Sequence, residues 1–173
     1  MDQDLASIQE ARDLVERAWE AERAFARFSQ EQTDRVVEAM AHAASAGAEP
    51  LARMAVDETG MGRYEDKILK NRFGADDVLK FIRPLRTCGI IREIPELKVK
   101  ELAVPMGVVA ALTPPTNPTS TAIYKALISV KGRNAIVVSP HPRAVRCTAE
   151  AVRIMHEAAV QAGAPQGLVL CAQ

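Results

Sequence analysis

Aromatic residues, cysteines and long apolar runs are all scarce in this sequence of 173 residues. Aromatic side chains make up 4% of the chain, so a hydrophobic core has to be built mostly from small aliphatic residues. Because no run of about 18 apolar residues occurs, we expect neither a transmembrane helix nor a membrane partner. The acidic N-terminus lacks the basic and apolar regions of a signal peptide.

The chain has no excess of charge of either sign, with 22 Lys and Arg against 22 Asp and Glu. Zero net charge argues against a protein that binds nucleic acid by bulk electrostatics. Residues 101–173 hold only 3 acids and 6 bases, against 19 acids and 16 bases in residues 1–100. Sparse charge in the second part predicts elements that are covered on both faces. Its net positive charge indicates either solvated helix ends or a weakly basic site for an anionic ligand.

The three cysteines form no CxxC pair and show no metal-ligand spacing, so we predict no metal site and no disulfide framework. Free thiols are typical of a reducing compartment, which here predicts the cytoplasm. Cys88 begins a predicted ribbon, Cys147 lies in a predicted helix and Cys171 in the last predicted strand. None of them is expected at a helix N-terminus or stands next to a histidine, so we interpret all three as structural.

Hydrophobic periodicity divides the chain into two unlike parts. The first part repeats apolar residues at the helical period, and Ser29 followed by Glu31 and Gln32 is typical of a helix cap. Its predicted helices cover about 4–27, 30–47, 50–60 and 63–82. A two-stranded β-ribbon is predicted next, with strands over 88–94 and 97–104.

The pattern after residue 104 is that of an α/β protein. Short apolar runs predict buried strands over 107–112, 135–138 and from 167, and amphipathic stretches predict helices over about 119–130 and 144–162. Thr119 and Ser120 are candidate caps for the first of these helices. Strand and helix alternating at this spacing predict right-handed crossovers and a parallel sheet. We therefore divide the chain into a helical part over 1–87, a ribbon over 88–104 and a βαβαβ unit over 105–173.

Residues that could carry chemistry are concentrated in two proline-containing loops, 113–118 and 139–143. Both follow predicted strands, and ligands of open parallel sheets bind beyond the carboxyl ends of the strands. Asn117 offers amide donors that could stabilise an oxyanion, or it is simply a turn or capping residue. His141 and Arg143 offer donors to ribose or phosphate oxygens, or they form a solvent-exposed loop tip. The sequence contains none of the patterns GxGxxG, GxxxxGK[ST], GxSxG or HExxH.

The segment PMGVVAALTPPTNPTSTAIYKALISVKGRNAIVVSPHPRA resembles the cofactor-domain signature of CoA-acylating aldehyde dehydrogenases. FSQEQTDRVVEAM, LARMAVDETGMG, EDKILKNRF and TCGII resemble the same family, so the likeness spans nearly the whole chain. The relatives include the aldehyde dehydrogenase half of bifunctional aldehyde–alcohol dehydrogenases and stand-alone enzymes acting on acetaldehyde, succinate semialdehyde or sulfoacetaldehyde. The resemblance implies an α/β fold, with N-terminal helices and a ribbon leading into a Rossmann-like parallel sheet with flanking helices.

The resemblance also implies a reaction and a set of residue roles. The family oxidises a small aldehyde with NAD or NADP and passes the acyl group reversibly to coenzyme A. Asn117 matches the family's oxyanion asparagine. Four residues match the loop at the nicotinamide end of the cofactor: Thr113, Pro114, Pro115 and Thr116. Ser139, His141, Pro142 and Arg143 match the loop at its adenosine end, where hydrolytic relatives usually carry a lysine in place of Ser139. The ribbon matches the family's oligomerisation element, which implies a homo-oligomer.

Family members are more than twice as long as this chain, and their catalytic cysteine lies in a later domain. The resemblance therefore implies that these residues are the N-terminal part of such an enzyme, inactive alone, with none of Cys88, Cys147 and Cys171 as the nucleophile. The alternative is a non-catalytic module that keeps the fold without the nucleophile. We see no microcompartment-targeting helix ahead of the first domain helix.

Overall fold

The computed structural model describes residues 3–172 and has the predicted α/β architecture. The helices of the first part are α1 (Gln3–Phe25), α2 (Gln30–Ala46), α3 (Ala48–Thr59), α4 (Tyr64–Arg72) and α5 (Val78–Ile82). They are followed by β1 (Gly89–Ile94), β2 (Val99–Ala103), β3 (Val108–Leu112), α6 (Pro118–Lys131), β4 (Ala135–Ser139), α7 (Val145–Gln161) and β5 (Val169–Cys171). None of the helices described is long and apolar enough to cross a membrane.

The start of α2 confirms the predicted cap. The Ser29 hydroxyl accepts from the backbone N–H of Gln32 at 3.2 Å, and the Gln32 amide oxygen accepts from the backbone N–H of Ser29 at 2.9 Å. This reciprocal pair is a capping box, which satisfies two backbone donors that the first helical turn leaves open.

The cap predicted for α6 is wrong. Asn117, not Thr119 or Ser120, occupies the cap position of that helix. The Thr119 hydroxyl instead donates to Oδ1 of Asn71 at 2.7 Å, because α4 lies against the beginning of α6. A tertiary hydrogen bond has therefore replaced the local one that the sequence suggested.

The helix predicted over 63–82 is interrupted by a single π-helical turn over Phe73–Asp77. Gly74 lies at this turn, and a Cβ atom placed there would come within 3.1 Å of the Ser120 carbonyl oxygen. The extra residue of a π-turn and the missing side chain together let this segment approach α6 closely. Periodicity alone does not reveal the interruption, since the apolar stripe continues on both sides of it.

Strands β3, β4 and β5 form a parallel sheet in that spatial order, as predicted. The order β3-β4-β5 means that both crossovers run in one direction, and α6 and α7 pack against each other and against α2. The opposite face is covered by α1, which contacts all three strands. One core cluster runs from Leu14 to Leu170, so the first helices and the sheet are built around a shared interior.

The ribbon consists of β1 and β2, paired antiparallel with an irregularity between Ile90 and Arg92. Its base is attached to the sheet through Arg133, in the turn between α6 and β4. Arg133 adopts a φ of 61° and donates from Nη1 to the Ala26 carbonyl at 2.7 Å and from Nη2 to the Ala103 carbonyl at 3.0 Å. A left-handed backbone at a non-glycine residue costs on the order of 1 kcal/mol, which these hydrogen bonds offset.

An ion pair between the buried Lys131 of α6 and the half-buried Asp34 of α2 yields a stability prediction. Lys131 is 4% exposed, and its Nζ lies 2.6 Å from Oδ1 of Asp34. Asp34→Asn removes the counter-charge from a buried ammonium, so we expect the free energy of unfolding to fall by about 3 kcal/mol. Urea denaturation of the chain measures this difference.

The matched control is Glu150→Gln, which breaks a surface pair with Arg153 at 2.7 Å. That change should alter the free energy of unfolding by less than about 1 kcal/mol. Equal losses of unfolding free energy in the two variants would contradict the prediction, which depends on Lys131 being buried and Arg153 exposed.

Candidate functional site

The two loops singled out from the sequence lie side by side at the carboxyl end of the sheet. The parallel register pairs Leu112 with Ser139, and the backbone N–H of Thr113 then donates to the Ser139 carbonyl at 3.0 Å. The loop residues after β3 are therefore held against those after β4. In this way the structure brings together the residues matched to the two ends of the cofactor.

Thr113 has a hydroxyl group that is not satisfied by the protein. The residue is 5% exposed, and its Oγ1 atom finds no hydrogen-bond partner among residues 3–172. A buried hydroxyl of this kind is costly unless a water molecule or a ligand satisfies it, so it is a candidate contact for a ligand. Pro114 and Thr116 are exposed at the same edge, whereas Pro115 is half-buried.

Asn117 stands where β3 has ended and α6 begins, with φ −140° and ψ 59°. Its Oδ1 atom accepts a hydrogen bond from Nζ of Lys70 at 3.0 Å. Asn117 holds the cap position that the alternative interpretation gave it, but its side chain makes no capping hydrogen bond, since its amide oxygen is turned to α4. Its amide NH₂ group remains as the end of the side chain that can donate to a ligand.

Helix α4 supports this loop with polar residues that our sequence interpretation missed. Lys67 donates from Nζ to the Thr116 carbonyl at 2.8 Å, and Asn71 donates from Nδ2 to the Ala48 carbonyl at 3.0 Å. Together with Lys70 these residues are spaced i, i+3 and i+4, which places them on one face of the helix. That spacing is the signal in the sequence that reveals them, whereas the apolar stripe of the segment does not.

The Lys67 ammonium is held in an unfavourable environment. Lys67 is 4% exposed, and this desolvation lowers its pKa; the nearby positive charge of Lys70 lowers the pKa further. Two like charges on one helical face oppose folding rather than favour it. What the two lysines contribute instead is a pair of hydrogen bonds to the loop over 113–118.

The loop after β4 is tied down by its own side chains. Nδ1 of His141 accepts from the backbone N–H of Arg143 at 3.1 Å, so the neutral ring carries its hydrogen on Nε2 and can donate from there. Arg143 donates from Nη2 to the Thr59 carbonyl at 3.3 Å, which fastens the loop to the end of α3. His141 is half-buried, while Pro142 and Arg143 are exposed.

Cys147 corrects one sequence expectation, because it lies in the first turn of α7 rather than away from any helix N-terminus. The position does not activate the thiol. The Glu58 carboxylate accepts from the backbone N–H groups of Arg146 and Cys147 at 2.8 and 2.7 Å, so an anion already occupies the helix end. Burial, followed by the hydrogen bond and charge of Glu58, raises the pKa of the Cys147 thiol to about 12.

Of the other two cysteines, Cys171 is also poorly suited to nucleophilic attack. Burial raises the pKa of Cys171 to about 11, with a smaller contribution from the charge of Glu10. Cys88 is half-buried, with its Sγ 3.8 Å from the Thr33 hydroxyl. Within the described part of the chain, no group of three or more His, Cys, Asp or Glu side chains is placed to hold a metal ion.

The sequence profile of the aldehyde dehydrogenase family matches residues 2–171. The chain belongs to the aldehyde dehydrogenase family. It is 45% identical over 165 residues to the bifunctional aldehyde-alcohol dehydrogenase AdhE of Escherichia coli K12, which covers 95% of the chain and 18% of AdhE. It is 40% identical over 158 residues to the acetylating succinate-semialdehyde dehydrogenase of Clostridium kluyveri, covering 91% of the chain and 35% of that enzyme.

Solved structures of this family share the fold. An acetylating aldehyde dehydrogenase from Geobacillus thermoglucosidasius is 56% identical with a TM-score of 0.96, covering 98% of this chain and 38% of its own. An engineered glycolyl-CoA reductase with bound NADP⁺ is 30% identical with a TM-score of 0.76, over 92% of this chain and 36% of its own. A propionaldehyde dehydrogenase from Rhodopseudomonas palustris with bound CoA and an acylated cysteine is 31% identical with a TM-score of 0.76, with the same coverage. The chain thus spans well under half the length of each relative.

The Glu58 carboxylate at the start of α7 generates a pH prediction. Burial alone would raise its pKa, but the hydrogen bonds from Arg146 and Cys147 outweigh that effect and hold the pKa below 4.5. A carboxylate with a lowered folded-state pKa stabilises the protein above its unfolded pKa and loses this effect as the pH falls. At about pH 7, we expect Glu58→Gln to reduce the free energy of unfolding by about 1 kcal/mol.

Urea denaturation of the wild type and of Glu58→Gln between about pH 7 and pH 3 measures how the difference varies. The difference should shrink below pH 4.5 as the wild-type carboxylate becomes protonated. Glu157→Gln is the control, because that carboxylate pairs with Arg153 at the surface. A difference for Glu58→Gln that is independent of pH would contradict the charged cap.

Proposed function

We propose that this chain is the N-terminal, cofactor-binding part of an acylating aldehyde dehydrogenase. The enzyme would convert an aldehyde, coenzyme A and NAD or NADP reversibly into an acyl-CoA and the reduced cofactor. The observation that carries the proposal is the Asn117 amide, held by its oxygen in the same proline-containing loop as the unpaired hydroxyl of Thr113. Similarity to acetylating relatives supports the acyl transfer, since it extends over almost the whole chain.

The loops fit a dinucleotide cofactor by the chemistry of their donors. Thr113 to Thr116 would line its nicotinamide end, where the Thr113 hydroxyl still lacks a partner. Ser139, His141, Pro142 and Arg143 would meet the adenosine end, with Nε2 of His141 as a donor to ribose or phosphate oxygens. The bound cofactor would accept the hydride from the substrate.

The role of Asn117 follows from the charge that develops during thiol addition. When a cysteine thiolate attacks the aldehyde carbon, the carbonyl oxygen gains a negative charge, and a fixed amide N–H next to it lowers the barrier. The Asn117 NH₂ group would supply that donor. The thiolate would come from a later part of the enzyme, because the Cys147 and Cys171 thiols have raised pKa values and are shielded.

The same proposal extends to the assembly and the location of the enzyme. The ribbon formed by β1 and β2 leaves large apolar side chains exposed, among them Ile90, Leu97 and Leu102. A face of this kind suits contact with further copies of the chain, as expected for a homo-oligomer. Three free cysteines suit the reducing cytoplasm.

Asn117→Ala tests the oxyanion role. The substitution is made in a chimera, in which this chain replaces the matching segment of the Geobacillus enzyme. We call this chimera the grafted enzyme. Loss of one oxyanion donor typically lowers kcat by about 10²- to 10³-fold. We expect a decrease of that size in steady-state CoA-dependent NADH formation, with the KM for the cofactor little changed. A substituted enzyme with the kcat of the unsubstituted graft would refute the assignment.

The chain without further residues is predicted to be inactive. Acyl transfer requires a thiolate close to the nicotinamide, and no described cysteine meets that requirement. Purified chain supplied with short aldehydes, coenzyme A and NAD or NADP should form no NADH or NADPH. Turnover that disappears on replacing Cys88, Cys147 or Cys171 would show that the nucleophile lies within the chain.

The alternative is a non-catalytic module that keeps the fold without the chemistry, and the raised thiol pKa values favour it for the chain alone. The intact mass of the protein in its source cells separates the two functions. A mass above about twice the 18.8 kDa of this chain supports the enzyme, and a mass near 18.8 kDa supports the module.

A further inference from the structure

The side-chain amide of an asparagine can present either of two opposite groups to a ligand. Rotation by half a turn about its last side-chain bond exchanges the acceptor oxygen and the NH₂ donor. Only the donor stabilises a negatively charged oxygen, whereas the amide oxygen would repel it. An oxyanion site built on Asn117 therefore needs something that selects one orientation of the amide.

The Lys70 side chain supplies that selection. An ammonium group has three donors and no acceptor, so its contact at 3.0 Å can be made only with the oxygen of the Asn117 amide. Lys70 lies 47 residues away in sequence, at the exposed end of the same α4 face that carries Lys67 and Asn71. The contact occupies the oxygen and leaves the NH₂ group as the available end.

We propose that Lys70 is a positioning residue, which holds the Asn117 amide with its NH₂ group toward the reacting oxygen. This inference rests on the oxyanion role proposed for Asn117. Lys70 itself does not touch the substrate. Its effect on the reaction passes through the orientation of the amide.

The surroundings of this contact fix the backbone as well as the side chain. Lys67 holds the Thr116 carbonyl at 2.8 Å, one residue before Asn117. On the other side, the Thr119 hydroxyl is bound to Asn71 at 2.7 Å, and Pro118 restricts the backbone between them. With the main chain held on both sides, the freedom that remains is that of the Asn117 side chain, and the contact with Lys70 restricts it.

Stability alone does not account for the two lysines. Lys67 is buried at the expense of its hydration, and Lys70 places a second positive charge on the same helical face. An arrangement that opposes folding in this way is typical of groups that serve a site.

The test uses three substitutions in the grafted enzyme. Lys70→Met removes the donor and keeps the length of the side chain, and Lys70→Arg restores a donor-only cation. Arg72→Met is the matched control, since it removes a positive charge from the same helix while its partner is Glu49 at 3.2 Å. Each is also combined with Asn117→Ala, and melting temperatures verify that the variants fold.

We expect Lys70→Met to lower kcat by roughly fivefold to tenfold, as for the loss of one hydrogen bond, with all KM values nearly unchanged. Lys70→Arg should recover most of the activity, and Arg72→Met should retain it. Because Lys70 acts through the amide, Lys70→Met should have little further effect once Asn117 is alanine. An equal loss in both backgrounds would overturn the inference.

The outcomes separate this inference from the proposed function. A defect in Asn117→Ala together with normal kcat in Lys70→Met would overturn the positioning role alone. Normal kcat in Asn117→Ala would overturn both. A second measurement is independent of turnover: the side-chain amide resonances of Asn117 in ¹⁵N spectra of the 173-residue chain. They should shift on Lys70→Met and stay in place on Arg72→Met, and an unchanged amide in both variants would refute the contact.

Discussion

Small side chains at the contacts between helices set the spacing of the helices in this protein. Alanines with at most 3% exposure lie in the core that the helices share with the sheet, among them Ala18 and Ala21 of α1, Ala41 and Ala44 of α2 and Ala126 of α6. Helix axes approach more closely where the side chains between them are small. The approach is closest to its steric limit at Gly74, because even a Cβ atom there would come within 3.1 Å of the Ser120 carbonyl oxygen.

The candidate site depends on this close approach. Because the π-turn over Phe73–Asp77 brings its segment against α6, the preceding helix α4 runs beside the loop that follows β3. Its lysines then reach the Thr116 carbonyl and the Asn117 amide directly. The strands provide one wall of the site and α4 provides another. A wider helix spacing would leave the amide of Asn117 to water.

Local rules predicted the parts of the fold whose causes lie within a few residues. The capping box at Ser29 and the apolar runs that became β3 and β4 depend on neighbours in sequence, as do the prolines that rigidify the loop over 113–118. The loops were also correctly assigned to one edge of the sheet, since parallel strands end together.

Contacts between distant segments were beyond such rules. The hydrogen bond from Lys70 to Asn117 joins residues 47 positions apart. The hydrogen bond from Cys147 to the Glu58 carboxylate, at the start of α7, joins residues 89 positions apart. The sequence shows that the polar residues of α4 share one helical face, but it does not show which distant segment that face contacts. For Cys147, the predicted helix start near residue 144 already placed it in the first turn; its missing reactivity depends on Glu58, which only the fold brings there.

The Arg133 guanidinium ties the base of the ribbon to the turn that precedes β4. One side chain holds the end of α1 and the last residue of β2, while its backbone forms the turn that leads into β4. The start of β1 is fastened nearby as well, because the Thr87 hydroxyl donates to the Lys131 carbonyl at the end of α6 at 2.6 Å. Both strands of the ribbon are therefore held close to the turn that leads into the central strand. If further copies bind along the ribbon, as we propose, this attachment would fix the orientation of each copy's parallel strands relative to the contact.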